Sequence, residues 1–174
     1  MRGVTVEQPP SGLAAAFDPL LAAILDACRG HYGERLVSVA VFGSVGRGTP
    51  RPDSDVDLLI IAEHLPAGRM RRTEDFSAVE TAVAPAIARA GRTGLSPSLS
   101  PVLKTPTEAA AGSPLFLDMT EDARLLFDRD GFLANLLAAF RARLDRLGAR
   151  RIWRGNAWLW DLKPDYRVGE EFEL

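Results

Sequence analysis

The chain has 174 residues, of which 47% are hydrophobic and 25% charged, with a formal net charge of −2. That is the composition of a globular protein long enough to bury a real core, and its charge gives no general attraction to nucleic acid. A single cysteine, Cys28, excludes an internal disulfide and a cysteine-based zinc site, while His31 and His64 are too isolated to suggest a metal cluster.

Residues 1–12 read as a loose arm. Asp18-Pro19 marks a helix start, with aspartate at the N-cap and proline in the first turn. Leu20, Leu21, Ile24, Leu25 and Cys28 form the apolar stripe of that helix, and Gly30 and Gly33 end it. The apolar run Leu36–Phe42 predicts a buried strand, Gly43-Ser44 a turn into a short helix, and Val56–Ala62 a second strand. A helix over Thr73–Ala90 contains Pro85, which would shorten or kink it. Leu95–Leu103 predicts a third strand whose Pro97 and Pro101 suit an edge position.

Further on, Pro114–Phe127 reads as helical, with Thr120-Glu121-Asp122 able to renew its start, and Asp128–Gly131 as a turn. Phe132–Leu147 is the clearest amphipathic helix, with Leu133, Leu136, Leu137, Phe140 and Leu144 on one face and Arg141, Arg143 and Arg146 off it. The alternation predicts an α/β fold in one domain, with a core at about 18–110 and a helical, tryptophan-rich extension at about 111–174. No apolar stretch is long enough for a membrane span and the N-terminus lacks a signal-peptide core, so a cytoplasmic protein is expected.

Chemistry concentrates between Val41 and Ile61. Asp55 and Asp57 are two apart on a predicted strand, so both carboxylates point the same way, and Leu58, Leu59, Ile60 and Ile61 continue into a buried sheet. Two anions on one face repel unless a cation lies between them. Aspartate oxygens at a groove suit a hard divalent ion such as Mg2+, held together with substrate phosphates. Simpler readings stand beside this one. Gly43 and Gly46 permit a tight turn, Ser44 is a helix N-cap, Asp53 is turn chemistry, and Asp55 and Asp57 are exposed on an edge strand. Arg47 is either a phosphate contact or a solvated loop residue. Against the edge-strand reading, carboxylates directly before four apolar residues are costly without a partner.

The window resembles the signature of the nucleotidyltransferase superfamily of DNA polymerase beta, particularly its small stand-alone minimal members. The matching residues are Gly43-Ser44, a loop with Arg47 and Gly48, and Ser54-Asp55-Val56-Asp57-Leu58. The resemblance implies a small mixed sheet flanked by helices. It also implies that Ser44 and the amides of Gly43-Ser44 hold a nucleoside triphosphate, that Arg47 belongs to the nucleotide site, and that Asp55 and Asp57 bind Mg2+ (or Mn2+). The reaction implied is transfer of a nucleoside monophosphate to a hydroxyl of an RNA end, a protein or a small molecule, with release of pyrophosphate.

The same resemblance implies a third acid on the following strand, as base for the attacking hydroxyl or as a further metal ligand. Leu95–Leu103 contains none, and a serine hydroxyl, neutral at pH 7, cannot replace a carboxylate with similar strength. Three explanations stay open. Water or substrate completes the shell; an acid arrives from elsewhere, with Asp118, Asp161 and Asp165 as candidates; or the protein binds a nucleotide or partner without efficient turnover. The last would match antitoxin-type members of the superfamily paired with small helical toxins. The tail Trp153–Asp165 carries all three tryptophans. It is either core packing of a strand or extended peptide, or a flap over the groove bringing Asp161 or Asp165 to the metal and Lys163 to a phosphate.

Overall fold

The structure, a computed structural model, describes residues 12–155, 157–167 and 171. The expected loose arm, Gly12 apart, lies outside the described residues. A short helix α1 (Gly12–Ala16) precedes α2 (Asp18–Tyr32), β1 (Leu36–Phe42), the four-residue helix α3 (Gly43–Gly46) and β2 (Val56–Ala62). Then come α4 (Arg69–Arg92), β3 (Leu99–Lys104), α5 (Pro106–Ala110), α6 (Leu115–Asp122) and β4 (Arg124–Asp128). The chain continues through α7 (Phe132–Leu147) into a hairpin of β5 (Arg150–Arg154) and β6 (Ala157–Asp161).

The main sheet is mixed, in the order β3-β2-β1-β4. β1 runs antiparallel to both β2 and β4, and β2 is parallel to β3 through the α4 crossover. Both faces of the sheet are covered, which is why β2 reads as an unbroken apolar run rather than an alternation. Leu58 and Ile60 pack with Leu21, Ile24 and Cys28 of α2 and Phe76, Val79 and Val83 of α4. Leu59 and Ile61 pack on the other side with Phe116 and Met119 of α6 and Leu133, Phe140 and Leu144 of α7. Cys28 is fully buried, and desolvation pushes its thiol up to about 12, so it behaves as a small hydrophobe. Among the described residues, no helix is long and apolar enough to cross a membrane.

β1, β2 and α7 run over the expected residues, and β3 is an edge strand as its prolines suggested. Four expectations are corrected. α4 is longer than Thr73–Ala90 and runs through Pro85 without ending. β3 starts at Leu99 rather than Leu95, because its pairing with β2 begins where Val56 N–H donates to Ser98 O at 2.8 Å. Asp18 lies inside α2 and does not cap it; its carboxylate pairs with Arg124 at 2.7 Å.

The fourth correction is the largest. Pro114–Phe127 is not one helix: α6 ends at Asp122, Ala123 turns extended, and Arg124–Asp128 becomes β4. This strand covers the free edge of β1, whose backbone groups would otherwise lack partners. Asp128 then ties three elements together. Its carboxylate accepts from the buried Ser38 hydroxyl of β1 at 2.6 Å and from the Leu133 and Ala134 amides of α7, each at 2.9 Å. Those amides belong to the first turn of α7, which has no helical partners for them.

Candidate active site

The site is built where β1 ends. Gly43 turns the chain with φ +65°, and a Cβ there would stand 2.2 Å from Asp57 Oδ2. Glycine is therefore required twice, for the backbone angle and for the approach of the carboxylate. Gly46 is equally confined, since a Cβ would meet Asp122 O at 2.5 Å and Val41 O at 2.7 Å. The turn is thus packed against β2 on one side and the end of α6 on the other. Ser44 makes no cap bond to α3; its hydroxyl donates to Ser54 Oγ at 3.1 Å, and Ser54 in turn accepts from the Arg51 amide at 2.8 Å.

The parallel register sets Asp57 opposite Ser100 and Val56 opposite Leu99. In-register neighbours share a face, so two serines of β3 and its approach stand beside two aspartates of β2 and its approach. Ser98 donates a short hydrogen bond to Asp55 Oδ1, and the Ser100 hydroxyl lies near enough to the Asp57 carboxylate to favour its charged form. Asp55 is exposed and Asp57 half-buried. Burial pushes the Asp57 carboxyl above its usual range, and the neighbouring Asp55 charge pushes it further, while the Ser100 hydroxyl partly opposes both.

A cavity of about 870 Å3 opens beside Asp55, along the free edge of β3 and under α4. Its lining includes Asp55, Ser98, Ser100, Arg69, Arg72 and Glu108. Arg72 braces this wall. It donates to Pro66 O at 2.8 Å and Leu103 O at 3.1 Å, and forks onto both Glu108 oxygens at 2.7 and 2.9 Å. The Arg72 bond, aided by the Thr105 amide, holds the Glu108 carboxyl down at about 2.

On the opposite side of the turn lies a second polar cluster. Asp122, only 5% exposed, accepts from Arg47 Nη1 at 2.7 Å and from Arg151 of β5 at 3.1 and 2.6 Å. The Trp158 ring is within cation–π range of both guanidinium groups, 4.7 Å from that of Arg47 and 4.4 Å from that of Arg151. Asp118 accepts from the indole N–H groups of Trp158 and Trp160 at 2.7 and 2.9 Å. Arg47 is therefore no solvated loop residue: it joins the turn to α6 and the hairpin.

The structure brings Gly43, Ser44, Asp55 and Asp57 together and tethers Arg47 beside them. It does not bring the tail acids to the pair. Asp161 ends β6 next to Arg150, 3.3 Å away, and Asp165 is exposed beyond it. Asp118 is taken by the tryptophans. Among the described residues, no group of three or more His, Cys, Asp or Glu is arranged to hold a metal ion. Ser98 and Ser100 entered the sequence reading only as the absence of an acid. Their i, i+2 spacing, matching that of Asp55 and Asp57, was the available signal. Asp122 and Arg151 left none, because their pairing spans 29 residues of chain.

A glycine-serine turn packed against an acidic pair on a mixed sheet fits a nucleotidyl-transferring enzyme. The comparisons agree: the family model for the nucleotidyltransferase domain matches residues 21–85. A protein of Methanocaldococcus jannaschii named as a putative protein adenylyltransferase is 32% identical over 130 residues, covering 74% of this chain and 83% of that one. The chain belongs to the minimal nucleotidyltransferases. Among solved structures, a toxin–antitoxin with AMP-PNP aligns over 74% of this chain and 92% of its own, at 16% identity and a TM-score of 0.43. A mutant of the toxin–antitoxin MntA-HpeT aligns over 72% and 89%, at 18% identity and the same TM-score.

Proposed function

We propose that the protein transfers AMP from ATP to a hydroxyl group of a protein, using a divalent metal held by Asp55 and Asp57. The observation that carries this reading is the contact between Gly43 and Asp57, which makes the phosphate turn and the acidic pair one site. The adenylyl group and protein acceptor follow the name of the Methanocaldococcus jannaschii relative.

The donor set suits a hard cation. Two carboxylates face the same way, and each keeps an oxygen that its serine does not need. Bound there, Mg2+ or Mn2+ would neutralise charge on the triphosphate. The protein's own groups do the rest. Ser44 and the turn amides bind the outer phosphates, as backbone N–H groups in tight turns do for anions. Arg47 steadies that turn through Asp122. The cavity along β3 and α4 receives the acceptor, so that its hydroxyl approaches beside Asp55. The hydroxyl oxygen bonds to the α-phosphorus as the bond to pyrophosphate breaks, and the proton passes to solvent.

A second reading, a nucleotide-binding partner module with little turnover, is favoured by the lack of a third acid among the described residues. Incubation of the purified protein with α-labelled NTPs, Mg2+ and a cell extract separates the two. Label appearing on a protein band with ATP, and vanishing in Asp57→Asn, supports the transferase. Binding of ATP without any transfer, alongside a co-purifying partner, supports the module.

A further inference from the structure

We propose that Ser98 and Ser100 stand where a third carboxylate would otherwise complete the metal centre, and act as positioning residues that aim Asp55 and Asp57 at the metal. The proposal rests on the reading of those two aspartates as the metal pair. Its basis is the one-to-one match across β2 and β3. Ser100 is in register with Asp57, and Ser98 bonds Asp55 two residues earlier, so each carboxylate has a serine hydroxyl beside it on the neighbouring strand or its approach. Hydrogen bonding of a carboxylate's outer oxygen fixes its rotation and leaves the other oxygen directed at the cation, the usual role of groups behind metal ligands.

An acid at either serine position would change the character of the centre. Placed beside Asp57, it would repel that carboxylate in the free protein and would add a third negative charge when metal is bound. With hydroxyls there, the pair carries two formal charges and the donor side is kept neutral. Oxygen-ligand sites tune divalent affinity through their charge count and rigidity. The serines therefore supply rigidity without charge, and the free ion binds weakly until phosphate oxygens join the shell. Both serines are exposed and border the cavity, so no packing role accounts for the pairing.

The test measures Mn2+ binding to the full nucleotide-free chain, through loss of the free-ion electron paramagnetic resonance signal. Ser98→Ala and Ser100→Ala are each expected to weaken Mn2+ binding about tenfold. Ser100→Asp is expected to tighten it about tenfold, by restoring a third charge. Thermal melts of the two alanine variants within ~1 °C of the parent would exclude unfolding as the cause, since exposed substitutions change stability little. Alanine variants that bind Mn2+ like the parent, or a Ser100→Asp variant with unchanged affinity, overturn the proposal. Asp57→Asn separates the two readings. If it abolishes Mn2+ binding while the serine variants do nothing, only the serine proposal fails; if it also does nothing, the metal pair itself was misread.

Discussion

Two acidic clusters flank the turn at Gly43–Gly46, and they are finished in opposite ways. Asp122 is buried and accepts from two arginines, so its charge is matched inside the protein. Asp57 is half-buried against another carboxylate and a neutral hydroxyl, and no salt bridge among the described residues includes it or Asp55. The first cluster is complete as it stands and holds the hairpin and α6 to the turn. The second has no arginine or lysine paired with it among the described residues, and its Asp55 borders a cavity. Counting acids would not separate the two carboxylates here; the charge around each does.

The comparison breaks first at activity. Asp57→Asn should lower AMP transfer by about a thousandfold, equivalent to ~4 kcal/mol of transition-state stabilisation, measured from initial rates of labelled transfer. Its fold should survive. Asp122→Ala should do the reverse: it strands two arginines and costs about 3 kcal/mol of stability, as expected when one partner of a buried ion pair is removed. In a chain of this size that lowers Tm by roughly 6–12 °C in a calorimetric scan. Equal melting losses in the two variants would erase the distinction.

Gly43→Ala tests the element both clusters lean on. The methyl group would meet the Asp57 carboxylate at 2.2 Å on a backbone that side chains rarely adopt. A loss of about 2 kcal/mol in a denaturant titration is expected, with ATP binding weakened in proportion to the displaced turn. An unchanged midpoint would mean that the turn and Asp57 move apart freely, and the shared site would dissolve.

Much of this is legible in the amino-acid sequence. Leu36–Phe42 and Val56–Ala62 announced themselves because both faces of the sheet are covered, leaving continuous apolar runs. Phe132–Leu147 did so through its helical spacing. β4 did not, because Leu125, Leu126 and Phe127 are too short a run to tell strand from helix; only the open edge of β1 decides it. The Asp55–Asp57 pair was readable from local spacing, whereas its serine neighbours depend on register across two strands. The tail was half-read: Trp158 and Trp160 pack, on Asp118 and the arginines, while Trp153 stays 53% exposed, and the flap that would carry Asp161 or Asp165 to the groove is not formed.

The smallest effect separates the clusters by sign. Asp57 holds its proton more tightly in the folded protein than in the unfolded chain, because burial and the Asp55 charge raise its pKa above the ordinary 3.8. A folded state that binds the proton more strongly loses stability as the proton leaves. The loss therefore begins as pH rises through about 3.8 and is complete above the raised folded value. In chelator, Asp57→Asn should consequently be slightly more stable than the parent at pH 7, and the difference should vanish below pH ~3, where the Asp57 carboxyl is protonated in the folded and the unfolded chain alike. Added Mn2+ should stabilise the parent and leave the variant unmoved, by simple linkage of binding to the folded state. Asp122→Ala changes stability with the opposite sign at pH 7, because it strands Arg47 and Arg151. Parallel melting curves for parent and Asp57→Asn from pH 3 to pH 7 would show that the acidic pair carries no unrelieved charge, and the contrast with Asp122 would have no physical basis.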